Sequence, residues 1–464
     1  MHAQHSVITP RGFPPRTDAY NRGVRVLLIS TYDMGRQPFG LASPAAWLRD
    51  AGALVSCVDL TRDTLSAEAI GEADAIGFFL PMHTATRLAI PVIDRVRQAN
   101  PNARLIAYGL YAPLNAPLLR EHGMHHVLGA EFEAALVEAA FNDRVVSEAS
   151  IPRLQFRVPS RDGLPPLSRY ATLQLPGERR TVGYTEASRG CKHRCRHCPI
   201  VPVYDGRFRV VAPDVVLADV RAQVAAGARH ITFGDPDFFN GIRHAERVLR
   251  MFAGEFPAVT YDVTIKVEHL LQHAAMLPLL VETGCAFVTT AVESVDDDVL
   301  ARLEKGHTRA DFERVVNLSR AAGLVLSPTF VPFTPWTTMR GYLDLLHTID
   351  RLDLVEHVAP IQLAIRLLIP QGSRLLELAD VRALTHEFDP RSLTYPWTHP
   401  EAAVDEFQSE LTRLIGVKIA LSRSELFGRV WDLAHAAAHA VAVRSQPPLI
   451  ARAAIPYLNE PWYC

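Results

Sequence analysis

The sequence predicts an α/β protein with three parts: an N-terminal doubly wound parallel sheet, an open βα barrel and a C-terminal helical region. From residue 24 to 145, buried-strand patterns alternate with helix patterns about every 25 residues. A second βα series starts near Thr181, and beyond about Asp389 only helical periodicity remains. The predicted segments are a tail at 1–23, a first domain at 24–145, a linker at 146–180, a barrel at 181–388 and a helical region at 389–464.

The first domain is predicted from four strand patterns and the helices between them. Val24–Ser30 (VRVLLIS) has the length and branching of a buried strand, and the polar, proline-containing residues before it are typical of a loose tail. The other predicted elements are strands at Leu54–Leu60, Ala75–Leu80 and Arg104–Tyr108 and helices at Ala42–Ala51 and Leu88–Gln98. In such a sheet, ligands bind at the carboxyl ends of the strands.

The second domain is predicted from six further strand patterns. They lie at Val182–Thr185, His230–Phe233, Thr260–Ile265, Ala286–Thr290, Leu324–Pro328 and His357–Leu368. Six units make an open barrel rather than a closed barrel of eight, and polar residues follow each strand, where barrel active sites lie. The proline-rich stretch before the barrel indicates a linker. Two helices, Glu401–Leu414 and Ser424–Val443, are predicted to cap the barrel.

Composition excludes several classes of partner. The chain has 464 residues, 48% of them hydrophobic, and a net charge of −2, which gives no nucleic-acid or membrane-surface footprint. No apolar run reaches the roughly 18 residues of a bilayer span, and the first residues lack a signal-peptide core. Six cysteines are too few for a disulfide scaffold. We expect a cytoplasmic protein with no nucleic-acid or membrane partner.

Half of the cysteines lie in one short motif. Cys191, Cys195 and Cys198 form the pattern CxxxCxxC. Three thiolates with no fourth cysteine at fixed spacing suit a [4Fe–4S] cluster that has one open iron. A zinc site takes four ligands, and here His193 or His197 would have to supply the fourth from inside the loop. Zinc and metal-free cysteines remain the alternatives, while a disulfide would leave an odd thiol.

The residues around this motif are basic. An oxidised cluster with three thiolates and an anionic ligand is negatively charged, so nearby cations would stabilise it and hold the thiols ionised. We expect this role of the loop's own basic residues, Arg189, Lys192, Arg194 and Arg196. A solvated basic loop is the alternative.

The motif, preceded by Thr185-Glu-Ala-Ser-Arg-Gly190, resembles that of the radical S-adenosylmethionine (SAM) enzymes. The resemblance implies that SAM chelates the open iron and that one electron cleaves it to methionine and a 5′-deoxyadenosyl radical. By position it also implies SAM contacts, with a barrel-mouth salt bridge as the alternative for each. These are Gly234 and Asp235 for the amino group, His197 for adenine, Glu293 and Ser294 for ribose, and Lys266 and Arg366 for the carboxylate.

The Rossmann-like first domain resembles the cobalamin-binding domain that precedes the barrel in one radical SAM subclass. That domain often carries an Asp-x-His-x-x-Gly loop whose histidine ligates cobalt. The matching loop here, Thr31-Tyr-Asp-Met-Gly35, has no histidine, as in several members that leave the lower cobalt face unligated. Cobalamin is therefore one interpretation of this domain, and a domain that only packs on the barrel is the other.

The chain ends Tyr457-Leu-Asn-Glu-Pro-Trp-Tyr-Cys464. Together with Leu28–Tyr32 and Arg36–Ala46, this ending resembles radical SAM proteins with a CUAEP or CCAEP tail. The resemblance implies a selenoprotein whose selenocysteine codon follows Cys464. A thiol at a flexible end can reach an active site, so Cys464 is a candidate catalytic residue. An incidental tail cysteine is the alternative.

The predicted function is that of a radical SAM enzyme acting on an unidentified small molecule or small peptide. Methyl or heteroatom-group transfer is one expected outcome, and the expected reductant is a flavodoxin or ferredoxin. Two alternatives belong to other classes: a non-catalytic iron–sulfur or zinc protein, and a cobalamin-binding sensor.

Overall fold

The computed structural model describes residues 23–129, 131–142, 151–417, 421–440 and 455–459. The predicted tail before residue 23 and the candidate residue Cys464 therefore lie outside the described residues. Within these ranges, every helix is too short or too polar to cross a lipid bilayer.

The first domain is a five-stranded parallel sheet in the order β2-β1-β3-β4-β5. The strands are β1 (Arg25–Ser30), β2 (Leu54–Asp59), β3 (Ala75–Phe79), β4 (Arg104–Tyr108) and β5 (His126–Leu128). The helices are α1 (Phe39–Asp50), α2 (Ala67–Glu72), α3 (His83–Ala99), α4 (Ala116–Glu121) and α5 (Glu133–Phe141). Separate apolar clusters cover the two faces of the sheet, so the predicted doubly wound domain is confirmed.

The second domain is a curled seven-stranded sheet in the order β13-β12-β11-β10-β7-β6-β14. The parallel strands are β7 (Glu178–Thr185), β10 (His230–Phe233), β11 (Thr260–Thr264), β12 (Cys285–Glu293) and β13 (Leu326–Phe330). The others are β6 (Thr172–Leu175) and β14 (Tyr457–Leu458), both antiparallel, and the hairpin strands β8 (Ser188–Gly190) and β9 (Phe208–Val210). This sheet matches the predicted open barrel.

Helices follow the strands of this sheet, and most of them pack around one large apolar core. Between β8 and β13 they are α6 (Val201–Tyr204), α7 (Pro213–Ala225), α8 (Ile242–Glu255), α9 (Val267–Gln272), α10 (Leu277–Glu282), α11 (Asp297–Arg302) and α12 (Arg309–Ala322). Beyond β13 they are α13 (Met339–Arg351), α14 (Ala379–Leu384), α15 (Ala402–Val417) and α16 (Arg423–Ala437). The buried Leu411 and Trp431 join α15 and α16 to the barrel core, as the predicted capping role requires.

The sixth barrel strand, predicted at His357–Leu368, does not form. Pro360–Leu363 is a 3-10 turn, and the segment's backbone pairs with the chain after β13 through an isolated bridge between Phe333 and Arg366. Pro360 has no N–H to give to a ladder. The side chain of Gln362 instead accepts a hydrogen bond from the Phe330 amide at 3.1 Å, which replaces one backbone bond of a strand.

Candidate active site

The cysteine motif lies at the carboxyl end of β7, directly after β8. Gly190 turns the chain into the motif with φ +76°, and a β-carbon there would lie 2.5 Å from the Arg207 carbonyl oxygen. The side chain of Asn240, which follows β10, holds the loop at two points. It donates to the Gly190 carbonyl at 3.2 Å and accepts from the Lys192 amide at 3.1 Å. A glycine and a buried amide therefore fix where the motif begins.

The three motif cysteines are free thiols in a mostly buried group. Cys191 is 9% exposed and Cys195 5%, and Cys198 is partly buried. Burial, with a smaller contribution from the neighbouring thiols, raises the pKa of Cys191 to about 11 and that of Cys198 to about 12. Buried thiols this close to one another, with no disulfide between them, are the donor set that a thiolate-ligated cluster requires. The residues present therefore fit a [4Fe–4S] cluster.

Neither loop histidine completes a zinc site in the described structure. The two ring nitrogens of His193 lie 3.1 Å from His269 and 3.4 Å from Glu268. His197 has its Nε2 3.2 Å from Glu293, and its Nδ1 is buried without a hydrogen-bond partner among the described residues. Zinc would need a fourth ligand that the thiols alone do not supply.

A buried lysine stands beside two of the thiols. Burial alone would lower the pKa of Lys305, but the charge of Glu293 and the thiols of Cys195 and Cys198 raise it. The Lys305 ammonium lies 3.3 Å from the Glu293 carboxylate. Burial alone would raise the pKa of Glu293, but Lys305 and His197 lower it to about 2. At neutral pH the pair is therefore fully charged.

Glu293 reaches Lys305 because its own backbone conformation is unusual. It ends β12 with φ +68°, after a register shift against β13 at Ala291. A left-handed conformation is costly for a non-glycine residue, and a bulge re-aims the side chain that follows it. Together they place the carboxylate against His197 and Lys305. The structure thus brings together two predicted contact residues, His197 and Glu293.

A second buried lysine, Lys266, lies beside Cys191 after β11. Its charge lowers the pKa of both Cys191 and His193, and its ammonium is 3.2 Å from Glu268. The predicted residue Lys266 is therefore at the motif. Burial, with Lys305 and Lys266, also lowers the pKa of the neighbouring His307 to about 4, so this imidazole is neutral at physiological pH.

His193, Asp237 and His269 form a further group at the motif. His269 Nδ1 lies 2.7 Å from Asp237 Oδ2, and donor atoms of all three residues lie within 4.8 Å of one another. The side chains of Asp237 and His269 are fully buried. Burial, with Lys266 and His269, lowers the pKa of His193 to about 3, which leaves it neutral and able to ligate. Two imidazoles and a carboxylate are a donor set for a divalent metal as well as for a cofactor.

Other predicted residues are engaged in structural contacts. Asp235 accepts hydrogen bonds from the Ala187 amide and the Ser188 hydroxyl, and burial raises its pKa to about 7. The Ser294 hydroxyl oxygen accepts from the Asp296 amide at 3.0 Å. A β-carbon on Gly234 would lie 1.7 Å from the Tyr184 hydroxyl, so the close packing there requires glycine.

Arg366, predicted as a contact of the SAM carboxylate, is held by residues away from Lys266 and the cysteine motif. Its guanidinium pairs with Asp405 at 2.6 Å, stacks over the Trp397 ring and donates to the Trp397 carbonyl. These contacts join the segment after β13 to α15.

The basic residues of the loop itself do not surround the thiols as expected. Arg194 pairs with Asp205 at the surface, Arg196 pairs with Glu304, and Arg189 is buried among carboxylates of the first domain. Lys266 and Lys305 supply the positive charge instead. Sequence reasoning missed Lys305, Asp237, His269 and His307, because each is brought to the motif by packing between distant segments.

Replacing Lys305 by methionine is expected to destabilise the metal-free protein by about 3–5 kcal/mol, because the buried Glu293 would lose its lysine partner and keep only the contact with His197. Urea denaturation under anaerobic, reducing conditions measures this loss. Without Lys305 the pKa of Glu293 rises. Its protonation then removes the unpaired charge, so the difference from wild type should shrink between pH 7 and pH 4.

Lys192→Met is the matched control, since Lys192 lies in the same loop and is exposed. It should change stability little. Adding Glu293→Gln to the Lys305→Met chain should recover part of the loss, because both charges are then gone. Equal stability of the Lys305 and Lys192 variants would contradict the role of Lys305.

A cavity of about 220 Å³ lies between the carboxyl edges of the two sheets. Loops of the first domain form one wall, and Gly190, Gly234 and the residues around β8 form the other. The His83 ring also hydrogen-bonds to the Ser392 carbonyl and ties the first domain to the C-terminal region. The cavity therefore opens beside the cysteine motif.

The half-barrel presents three free thiols and two buried lysines at its carboxyl edge, which is a donor set that a metal cluster can use. Residues 185–345 match the radical SAM superfamily. The chain thus contains a radical SAM domain, whose family uses a [4Fe–4S] cluster and SAM. At the level of this domain, the prediction of a radical SAM enzyme is confirmed.

Curated relatives match part of the chain. The tRNA-2-methylthio-N(6)-dimethylallyladenosine synthase of Desulfosudis oleivorans is 28% identical over 190 residues, 39% of this chain and 40% of that protein. The ribosomal protein uS12 methylthiotransferase RimO of Desulfotalea psychrophila is 25% identical over 203 residues, 40% of this chain and 44% of its own length. The chain thus spans less than half the length of these relatives.

Two solved structures share the fold over both domains. The radical SAM methyltransferase TsrM of Kitasatospora setae, solved with tryptophan and a SAM analogue, has a TM-score of 0.62 at 18% identity, covering 77% of this chain and 76% of that one. The cobalamin-dependent radical SAM enzyme OxsB, solved with aqua-cobalamin, has a TM-score of 0.67 at 15% identity, covering 84% and 66%. The predicted pairing of a cobalamin-binding-like fold with a radical SAM barrel is confirmed.

Proposed function

We propose that the chain is a radical SAM enzyme in which Cys191, Cys195 and Cys198 hold three irons of a [4Fe–4S] cluster and SAM takes the fourth. The observation that carries this proposal is the group of three free thiols flanked by two buried lysines. When bound, the cluster supplies the electron for reductive cleavage of SAM. The chain's own part is to bind SAM, orient it and exclude water.

Among the basic candidates, Lys266 is the residue proposed to bind the SAM carboxylate. It is buried beside Cys191, and a fixed ammonium makes charge-assisted hydrogen bonds to a carboxylate. Arg366 was the other candidate, and its pairing with Asp405 favours Lys266. For the SAM amino group we propose the backbone of Gly234, since both carboxylate oxygens of Asp235 already accept hydrogen bonds.

For the nucleoside of SAM we propose His197, Glu293 and Ser294. The buried Nδ1 of His197 has no hydrogen-bond partner among the described residues, and a buried polar atom requires one. The adenine ring offers both donors and acceptors for it. Glu293 lies 3.2 Å from His197 and is held ionised, so its carboxylate can accept from a ribose hydroxyl. Ser294 follows it and keeps its hydroxyl proton to donate.

The reaction after SAM cleavage is proposed to be methyl or heteroatom-group transfer onto a small molecule or small peptide. Named activities of the matched proteins support group transfer, since they include methylthiotransferases and a methyltransferase. A flavodoxin or ferredoxin in the cytoplasm is the proposed reductant.

The tail proposal is separate from the cluster. We propose that Cys464 begins a tail that contains selenocysteine. The thiol of Cys464 is proposed to take part in the reaction that follows SAM cleavage. Any codon other than UGA after Cys464, or a UGA not followed by Ala-Glu-Pro codons, would end the idea of a CUAEP-type tail.

Cobalamin-dependent methyl transfer is the second candidate, favoured by the shared two-domain fold with TsrM and OxsB. The described residues fit a corrinoid poorly. Drug-sized ligands occupy pockets of roughly 300–1,000 Å³, a corrinoid is larger still, and this cavity measures about 220 Å³. His83, a histidine at the carboxyl edge of the first sheet, is already hydrogen-bonded to the Ser392 carbonyl and so is not free to ligate cobalt. We therefore derive no step through cobalamin.

Anaerobic reconstitution of the full chain tests the proposal. We expect about four irons per chain, and 5′-deoxyadenosine should form from SAM when a strong reductant is added. The absorption spectrum of the same sample reports any bound corrinoid. A single tetrahedral zinc bound at the motif, without SAM turnover, would refute the assignment.

A further inference from the structure

Apart from the motif thiols, the part of the chain that the structure describes has one group of converging metal-ligating side chains, His193, Asp237 and His269. Three separate segments bring them together. His193 lies in the loop between Cys191 and Cys195, Asp237 follows β10, and His269 belongs to α9. The group therefore depends on the fold and not on one local motif.

The Asp237 carboxylate presents one oxygen to this group. Its other oxygen, Oδ1, accepts a hydrogen bond from the Phe239 amide at 3.1 Å, which fixes the orientation of the carboxylate. Oδ2 of Asp237 and Nδ1 of His269 are buried 2.7 Å apart, yet neither atom forms a hydrogen bond with the described residues. Buried polar atoms without hydrogen bonds are costly, and a coordinated cation removes that cost.

The two imidazole rings also direct a nitrogen at each other. Nε2 of His193 lies 3.1 Å from Nε2 of His269 and 3.7 Å from Oδ2 of Asp237. Ligand atoms bound at about 2.0–2.1 Å to one tetrahedral ion lie about 3.3–3.4 Å from each other. The two separations bracket this value, so His193 is placed to share an ion with the other two residues.

Hydrogen bonds alone do not satisfy the two rings. They make three close contacts: one with each other, one with Asp237, and one between Nδ1 of His193 and Glu268 at 3.4 Å. A neutral imidazole carries one N–H, so two neutral rings leave one contact without a proton. An ion on the two Nε2 atoms keeps a proton on each Nδ1. Each Nδ1 then faces a carboxylate, as is typical of metal-bound histidines.

We propose that His193, Asp237 and His269 bind a zinc ion. Imidazole and carboxylate ligands suit zinc, and three protein ligands leave a fourth position for water or a substrate atom, as in catalytic zinc sites. Glu268 lies 3.2 Å from the ammonium of Lys266 and offsets its charge near the ion. The side chain of His193 is 14% exposed and gives the ion a path from solvent. The inference goes beyond the proposed function, because the thiols are not ligands of this ion.

Zinc analysis of the anaerobically reconstituted full chain tests the inference. Zinc chloride is added after reconstitution, and unbound metal is removed by gel filtration. We expect about one zinc per chain besides the cluster irons, with nitrogen and oxygen ligands at about 2.0–2.1 Å in its X-ray absorption spectrum. Sulfur ligands at about 2.3 Å would place the zinc on the cysteines and overturn the inference. A chain that retains no zinc would overturn it as well.

His269→Gln should weaken zinc binding by more than about 100-fold, because changes outside the ligand set of a metal site already cost 10–100-fold. His273→Gln is the matched control. His273 is partly buried, its ring centroid lies 5.8 Å from that of His269, and it is not one of the three ligands. Equal zinc affinity of the two variants would contradict the assignment. The absorption spectrum of the wild type tests the site even if His269→Gln fails to fold.

Two further measurements separate this site from SAM and from the cluster. SAM added to the zinc-loaded chain should leave the zinc bound, and release of zinc by SAM would overturn the inference. Formation of 5′-deoxyadenosine is followed in the same samples. SAM cleavage by a chain that binds no zinc would overturn the inference and leave the proposed function standing. Zinc held by nitrogen and oxygen in a chain that never cleaves SAM would support the inference and overturn the proposed function.

Discussion

Replacing Cys191, Cys195 or Cys198 by alanine is expected to lower reductive SAM cleavage by more than about 100-fold, since even outer-shell changes at metal sites cost 10–100-fold. Each thiol is a proposed iron ligand, and the described residues near the motif offer no fourth cysteine to replace it. Iron content after anaerobic reconstitution should fall below four per chain, and 5′-deoxyadenosine formation should reach the background without protein.

The chain provides its own cysteine controls. Cys57 lies in the core of the first domain, and Cys285 begins β12, and both are free thiols. Cys57→Ala and Cys285→Ala should keep the iron content and the cleavage rate of the wild type, with at most a modest loss of stability. If a triple alanine variant of the motif still cleaved SAM, the three thiols could not be the cluster ligands.

Local patterns predicted most of the fold and the centre of the site. Strand length, branching and the alternation of strands with helices are set over a few residues, so β1–β4, β7 and β10–β13 were predicted close to their observed bounds. The strands β5, β6 and β14, at or near the sheet edges, were not predicted. The spacing of the three motif cysteines is also set within a few residues, so the centre of the site was predicted as well. The sixth strand was predicted wrongly, since His357–Leu368 has a strand-like composition while Gln362 replaces a ladder bond through its side chain.

The charges around the motif could not be predicted from the loop alone. Arg194 and Arg196 are close to the cysteines in sequence, yet their partners are acidic surface residues. Lys305 is more than 100 residues away and reaches the thiols only when α11 packs beside the loop, where the Arg196 amide donates to the Leu303 carbonyl. The left-handed backbone of Glu293 likewise depends on the register between two strands. Long-range packing decides which charges are buried, and the residues of the loop alone do not specify that packing.

Replacing Arg189 by methionine is expected to destabilise the protein by at least about 3–5 kcal/mol at neutral pH, the range for losing one partner of a buried ion pair. Arg189 is buried and forms ion pairs with Glu131, Glu133 and Glu186 at the same time. Glu133 starts α5 and Glu131 lies two residues before it, so the arginine joins the first domain to the segment that leads into the cysteine motif. Its loss should therefore lower iron retention as well as stability.

The pH dependence of the Arg189→Met variant distinguishes this explanation from a packing defect. In the wild type, burial already raises the pKa of Glu131 to about 7, with Arg189 opposing the shift. A carboxyl group whose folded pKa is raised favours the folded state below its unfolded pKa of about 4.5, and this contribution is lost as pH rises through the folded value. Without Arg189 the pKa of Glu131 and of Glu186 rises further.

Urea midpoints of the variant should therefore fall more steeply than those of wild type between pH 5 and pH 8, with a much smaller difference at pH 5. Arg250→Met is the matched control, because Arg250 forms an exposed i,i+4 pair with Glu246 on α8 and should show little change at any pH. A loss of stability in Arg189→Met that is the same at pH 5 and pH 8 would assign the effect to the contacts of its side chain with Phe39, Phe132 and Phe156. The buried charge would then not be what holds the first domain to the cysteine motif.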